Sequence, residues 1–246
     1  MNGMLFQLAL AVVPTVLAIT LHEAAHGYAA LALGDTTARD AGRLSLNPLR
    51  HIDRMGTIIL PGFLLISQLL AFHRVMFMFG WAKPVPIAAW KFRDPRRGMA
   101  LVAIAGPLMN FALAILGAFL MPVSAGPFPR GMDGVDMAMV QHPIVAPFLF
   151  YFIITNLVLG LFNLLPIPPL DGGRVAVGIL PLELARIWAR LERAGLVIVL
   201  LAVFVLPHLL GFDPVNAALE RILPWALEHI FWLAGKDLGG VDGNAI

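Results

Sequence analysis

The chain has 246 residues, of which 59% are hydrophobic and only 13% charged, with a net charge of +2 and a mean hydropathy of +0.84. A soluble domain carries about 25% charged residues because its surface must be solvated, and 17 basic plus 15 acidic side chains are too few for that. A soluble globular enzyme, a disordered chain and a nucleic-acid-binding module are excluded, and the composition reads as an all-α polytopic membrane protein.

The first apolar run carries no charge until His22, Glu23 and His26 interrupt it, and it continues to about Leu33. Lacking a basic n-region, it reads as one helix from Leu5 to about Leu33 rather than a signal peptide. Residues 58–79 are mostly apolar but contain Pro61-Gly62 and His73-Arg74. Residues 99–123 and 144–165 are uncharged and of spanning length, and 195–212 is shorter. Residues 214–235 include Glu220, Arg221, Glu228 and His229, so they lie at the interface or complete a weak last span. With no cysteine there is neither disulfide nor thiolate chemistry.

Charge orders these runs. Segment 34–57 holds Arg39, Arg43, Arg50 and Arg54; 80–98 holds Lys83, Lys91, Arg93, Arg96 and Arg97; 166–194 holds Arg174, Arg186, Arg190 and Arg193; 124–143 holds only Arg130. The positive-inside rule puts 124–143 outside and the others inside. Both flanks of 58–79 are then basic, which favours a re-entrant or hairpin element around 58–90 over an ordinary span. Non-helical backbone at such depth is tolerated only against protein or water. The expectation is about five to six membrane helices in one domain over residues 1–246, with a core of about 5–175 and C-terminal helices over about 176–235.

His22-Glu23-Ala24-Ala25-His26 is an H-E-x-x-H sequence. On a helix, residues i and i+4 share a face, so both imidazoles point at one ion, with Glu23 beside the first as candidate base. Chance gives roughly 0.004 such matches in a chain of this composition. The alternative is two histidines bonding neighbouring helices, but ionisable groups inside a spanning helix are costly and read as functional.

A catalytic zinc site needs a third protein ligand. Asp171 is the candidate. It follows the 144–165 helix in Asn163-Leu164-Leu165-Pro166-Ile167-Pro168-Pro169-Leu170-Asp171-Gly172-Gly173. The oppositely directed first helix carries its histidines ~25 Å from its start, which brings both sites to one depth, near the cytoplasmic boundary. The prolines enforce extended backbone and the glycines allow a sharp turn. The alternative is that Asp171 caps a helix beginning near Arg174.

These two motifs together resemble the site-2 protease family of intramembrane zinc metalloproteases. Gly80-Trp81-Ala82-Lys83-Pro84-Val85-Pro86, Gly106-Pro107-Leu108-Met109-Asn110, and Asn47-Pro48 through His51-Ile52-Asp53 to Gly56-Thr57 are similar to it as well. They point to a compact subgroup without PDZ or CBS domains. Arg54-Met55 departs from the family pattern, in a loop away from the metal motif.

The resemblance implies one zinc ion per chain bound by His22, His26 and Asp171, with Glu23 as general base and Asn163 holding substrate or oxyanion. It implies transmembrane protein substrates in a lipid bilayer, no nucleic acid, and a multi-pass prokaryotic cell membrane. Asn163 and Asn110 each have an ordinary alternative as interhelical hydrogen-bonding residues. His51 either flanks the entrance or is simply solvated. Gly80–Ile87 reads as an edge-like strand with which an unwound substrate pairs. The competing function is a metal transporter or membrane metal-binding protein using the same His/Asp cluster; no paired repeat supports it.

Overall fold

The computed structural model describes residues 2–73, 80–122 and 141–236. Among them the protein is all-helical, without a strand. Helix α1 runs from Asn2 to Ala32, close to the expected bounds. Gly34 ends it with φ +96°, a left-handed stop natural to glycine, and the Asp35 N–H bonds back to Ala30 O at 2.9 Å.

The chain then makes short capped turns. Asn47 caps the turn at Pro48–His51 by accepting the Leu49 N–H. Asp53 caps a π-helical turn at Arg54–Ile59 by accepting the Met55 and Gly56 N–H groups, and that turn continues directly into α2, Leu60–Phe72. The Arg54-Met55 departure therefore lies in a capped turn. Arg74 lies outside the described residues, but the two ends of the 58–79 segment meet. The Trp81 N–H donates to Gly56 O at 3.1 Å and the Thr57 hydroxyl to Trp81 O at 2.9 Å. Residues 54–72 of this element are helical rather than irregular.

Helix α3, Pro95–Leu120, starts where the Asp94 carboxylate accepts the Arg96 and Arg97 N–H groups, with proline in its first turn. Its buried face carries Gly98, Val102, Ala103, Gly106, Asn110, Ala114, Gly117 and Ala118, at three- and four-residue spacing and mostly small. Helix α4, Val145–Asn163, packs Ile153 onto Gly117, and its own Gly160 onto Phe111 and Asn110. Small residues allow this close approach, which drives helix association where hydrophobicity alone does not. Two short helices follow, α5 (Asp171–Ile179) and α6 (Leu182–Leu191). Residues 195–210 are helical in three abutting pieces. Helix α7, Pro214–Leu233, contributes Ala226, Leu227, Ile230 and Phe231 to the main core with Ala114, Ala118, Ile153 and Leu157.

Among the described residues, three helices are long and apolar enough to cross a membrane, over residues 54–71, 95–120 and 145–163. The three basic segments gather at one end of the bundle. The Lys83 N–H donates to His51 O at 2.8 Å, and the Arg96 guanidinium to Leu180 O at 3.0 Å. At the opposite end of α3, Lys236 Nζ donates to the carbonyls of Ala118, Phe119 and Met121. Segment 124–143, with Arg130, lies almost wholly outside the described residues.

Candidate metal centre

His22 and His26 stand one turn apart on α1, both buried, and both face the buried carboxylate of Asp171. His22 Nε2 lies 3.0 Å and His26 Nε2 3.2 Å from Asp171 Oδ2, and the two Nε2 atoms are 3.0 Å apart. Asp171 is the first residue of α5, not the cap of a later helix. A helix start favours a negative side chain, and here that side chain turns inward. Gly172 and Gly173 do not make the expected sharp turn. They continue the helix, and what they permit is close approach: a Cβ at Gly172 would overlap the Leu164 and Leu165 carbonyls, and one at Gly173 would sit 2.8 Å from Pro168 N. This packing brings α5 against the proline-rich loop and aims Asp171 at the histidines.

The protonation of both rings follows from their outer nitrogens. His26 Nδ1 lies 2.8 Å from the Val102 carbonyl, which can only accept, so Nδ1 carries the proton. His22 Nδ1 lies 2.6 Å from Asn110 Oδ1. The Asn110 amide is oriented by its own contacts: its Nδ2 donates to Asn156 Oδ1 at 2.9 Å, and Asn156 Nδ2 donates to Phe152 O at 2.8 Å. Oδ1 therefore faces His22 as an acceptor, and that Nδ1 also carries the proton. In the neutral rings both Nε2 atoms are then bare lone pairs. They converge with Asp171 Oδ2, itself buried without a hydrogen-bond donor.

With both rings neutral, three acceptors face one another, an arrangement that a cation or a proton on one ring would hold together. Their ligand atoms lie within 4.8 Å of one another, and two imidazoles with one carboxylate are a donor set that suits zinc. The residues fit the metal that the sequence motif implies. Gly106 of α3 leaves the room, since a Cβ there would lie 2.6 Å from both histidine rings.

Glu23 is the residue after His22 on α1. Its Oε2 accepts the Val85 N–H at 3.0 Å, which sets the extended segment 80–88 beside the centre. That segment forms no strand, and the N–H groups of Trp81, Lys83 and Val85 are already taken within the protein. Pro84 and Pro86 have no N–H to offer. The expected pairing with a substrate strand thus meets an edge short of donors.

The Asn163 amide donates to Leu159 O of its own helix at 3.0 Å. His51 is buried, not solvated, with Nε2 at 2.8 Å from Ser45 O. Asn156 and the Val102 carbonyl are contributors that the motifs did not name. A polar asparagine in the middle of an uncharged span was the available signal for Asn156.

Comparison with known proteins places the chain in a family. The family model for peptidase family M50 matches residues 9–206. The "Putative zinc metalloprotease YwhC" of Bacillus subtilis is 38% identical over 196 residues, covering 80% of this chain and 80% of that protein. Rip2 of Mycobacterium tuberculosis, under the same designation, is 32% identical over 227 residues, covering 91% of this chain and 71% of its own. "Zinc metalloprotease MJ0392" of Methanocaldococcus jannaschii is 35% identical over 97 residues, 39% of this chain and 24% of its own. No solved structure matches.

Proposed function

Because this chain belongs to peptidase family M50, the site-2 protease family of zinc metalloproteases, we propose that it cuts peptide bonds in or near the transmembrane segments of other membrane proteins. The observation that supports this most is the convergence of His22, His26 and Asp171 with both Nδ1 protons directed outward. These three side chains would hold one zinc ion per chain. Zinc held there would supply a Lewis acid that brings the pKa of water towards ~7.

Glu23 is the proposed general base. It sits next in sequence to a ligand and takes the proton of the attacking water, then returns it to the leaving amine. Its bond to the Val85 N–H keeps the carboxylate oriented before substrate arrives. Asn163 is proposed to turn its amide from Leu159 to the substrate carbonyl, where a donor stabilises developing negative charge. The chain acts as one membrane-embedded protease domain. The positive-inside rule supports a multi-pass orientation with the centre near the cytoplasmic face, and the gathering of basic segments at one end of the bundle agrees with it. Bacterial and archaeal relatives support a prokaryotic cell membrane.

The test uses the purified full chain and a Glu23→Gln variant in liposomes with a single-span substrate. Both proteins are expected to bind zinc, and only the parent to cleave. Equal cleavage by the variant overturns the role of Glu23. A zinc-loaded parent that leaves the substrate intact while zinc crosses the vesicle wall overturns the protease in favour of a transporter.

A further inference from the structure

The segment 34–57 and the extended residues 80–88 hold a set of polar contacts that the chemistry above leaves unused. Asp35 is fully buried. Its Oδ2 accepts the Ala88 N–H at 2.6 Å, and its Oδ1 accepts from the Thr37 N–H and hydroxyl, with Lys91 Nζ at 3.3 Å. The Arg43 guanidinium donates to Lys83 O at 2.7 Å and to Arg50 O. On the same stretch the N–H groups of Trp81 and Lys83 go to Gly56 and His51 carbonyls.

Residues 80–88 are thus pinned at 81 and 83 on one side and at 88 on the other. Between the pins lies Pro84-Val85-Pro86. The flanking prolines carry no N–H, so this tripeptide has one backbone donor, and it is the one that holds Glu23. The Val85 side chain is buried against α1; a Cβ at Gly27, one turn beyond Glu23, would lie 3.1 Å from it. A slip of the strap by one residue would present a proline to Glu23 and leave the carboxylate without this donor.

A buried ion pair is weak evidence for stability, since apolar residues of similar volume often serve as well. What Asp35 and Arg43 supply is register. We propose that Asp35 and Arg43 are positioning residues, which lock the strap 80–88 so that the Val85 N–H fixes the Glu23 carboxylate beside the His22–His26–Asp171 cluster. This rests on the proposed role of Glu23 as base. Small displacements of a reacting group cost rate steeply, ~10²-fold for about 1 Å, whereas metal binding by the three ligands does not pass through the strap.

The experiment compares the full chain with Asp35→Ala, Asp35→Asn and Arg43→Ala in detergent micelles. It measures kcat, KM, zinc stoichiometry and amide hydrogen exchange over residues 80–91. Asp35→Ala and Arg43→Ala are expected to lower kcat by about tenfold or more, with KM and zinc content unchanged and faster exchange at Val85 and Ala88. Asp35→Asn keeps an acceptor for Ala88 and is expected to recover part of the rate. Glu23→Ala is expected to speed exchange at Val85 while Trp81 and Ala88 stay protected. Unchanged kcat in Asp35→Ala, a fall that merely follows zinc loss, or unchanged exchange at Val85 in both Asp35→Ala and Glu23→Ala overturns the proposal. Failure of the protease reading looks different: the parent itself does not cleave, while the exchange data still report the strap.

Discussion

Residues 145–163 and 54–71 both meet the length and hydropathy that a bilayer demands, yet 39% of the first and 11% of the second is buried within the protein. The difference lies in which side chains each helix turns towards a neighbour and which it leaves exposed. Helix α4 turns Ala146, Ile153, Asn156 and Gly160 inward, and α3 answers with Gly106, Asn110 and Gly117. The 54–71 helix instead exposes Phe63, Ile66 and Leu70, the last at 77%. Lipid tails are as apolar as leucine, so hydropathy says what enters the membrane, while small and hydrogen-bonding residues say what packs there.

The sharpest way to break this contrast is a pair of glycine substitutions. Gly106→Leu forces atoms into the histidine rings, since even a Cβ lies 2.6 Å away. It is expected to abolish zinc binding and cleavage together, read by metal analysis of the purified protein. Gly62→Ala, with nothing within 4 Å of its Cβ, is expected to leave both intact.

Next in size is Asn110→Leu. It leaves the His22 Nδ1–H and Asn156 Oδ1 without partners. Partners behind a metal ligand typically contribute ten- to a hundredfold in affinity, so chelator competition should show zinc weakened by about that factor.

A smaller effect is expected at Asp35. Burial pushes its pKa up, but hydrogen bonds from the Ala88 N–H, Thr37 and Lys91 outweigh this, and the carboxyl sits below the usual carboxylate range. A group depressed on folding stabilises above its unfolded pKa, 3.8 here, and loses that contribution as pH falls through the folded value. The gap in thermal stability between the parent and Asp35→Ala should hold constant from neutral pH down to about 4 and narrow below it. A gap independent of pH would show that the carboxylate charge contributes nothing.

The smallest effect belongs to the exposed face. Phe63→Ala, two-thirds exposed, should shift unfolding by no more than about 0.5 kcal/mol. A larger shift in lipid vesicles would mean that this helix is covered by something other than lipid.

The meeting of His22, His26 and Asp171 was legible because its determinants are local. A four-residue spacing places His22 and His26 on one helix face, and helix lengths bring Asp171 to their depth. The helix bounds were legible for the same reason, since uncharged runs must end near charges and caps such as Asp94. The Asn110–Asn156 relay was not legible in detail, because a hydrogen bond between two spans depends on their rotation about their axes, which no local pattern records. Gly172 and Gly173 were read as a turn because glycine permits positive φ. The structure uses their missing side chains instead. Asp35 and Arg43 lie in a loop whose partners come from residues 81–91, a pairing that only the folded chain reveals.

The proposed zinc ligands come from opposite parts of the polypeptide, His22 and His26 near its beginning and Asp171 well past its middle. Ribosomal synthesis therefore delivers two of the three long before the last. While the early helices are threading into the bilayer, the centre has no carboxylate to complete it. A site that needs all three side chains would therefore form only after residue 171 has been made.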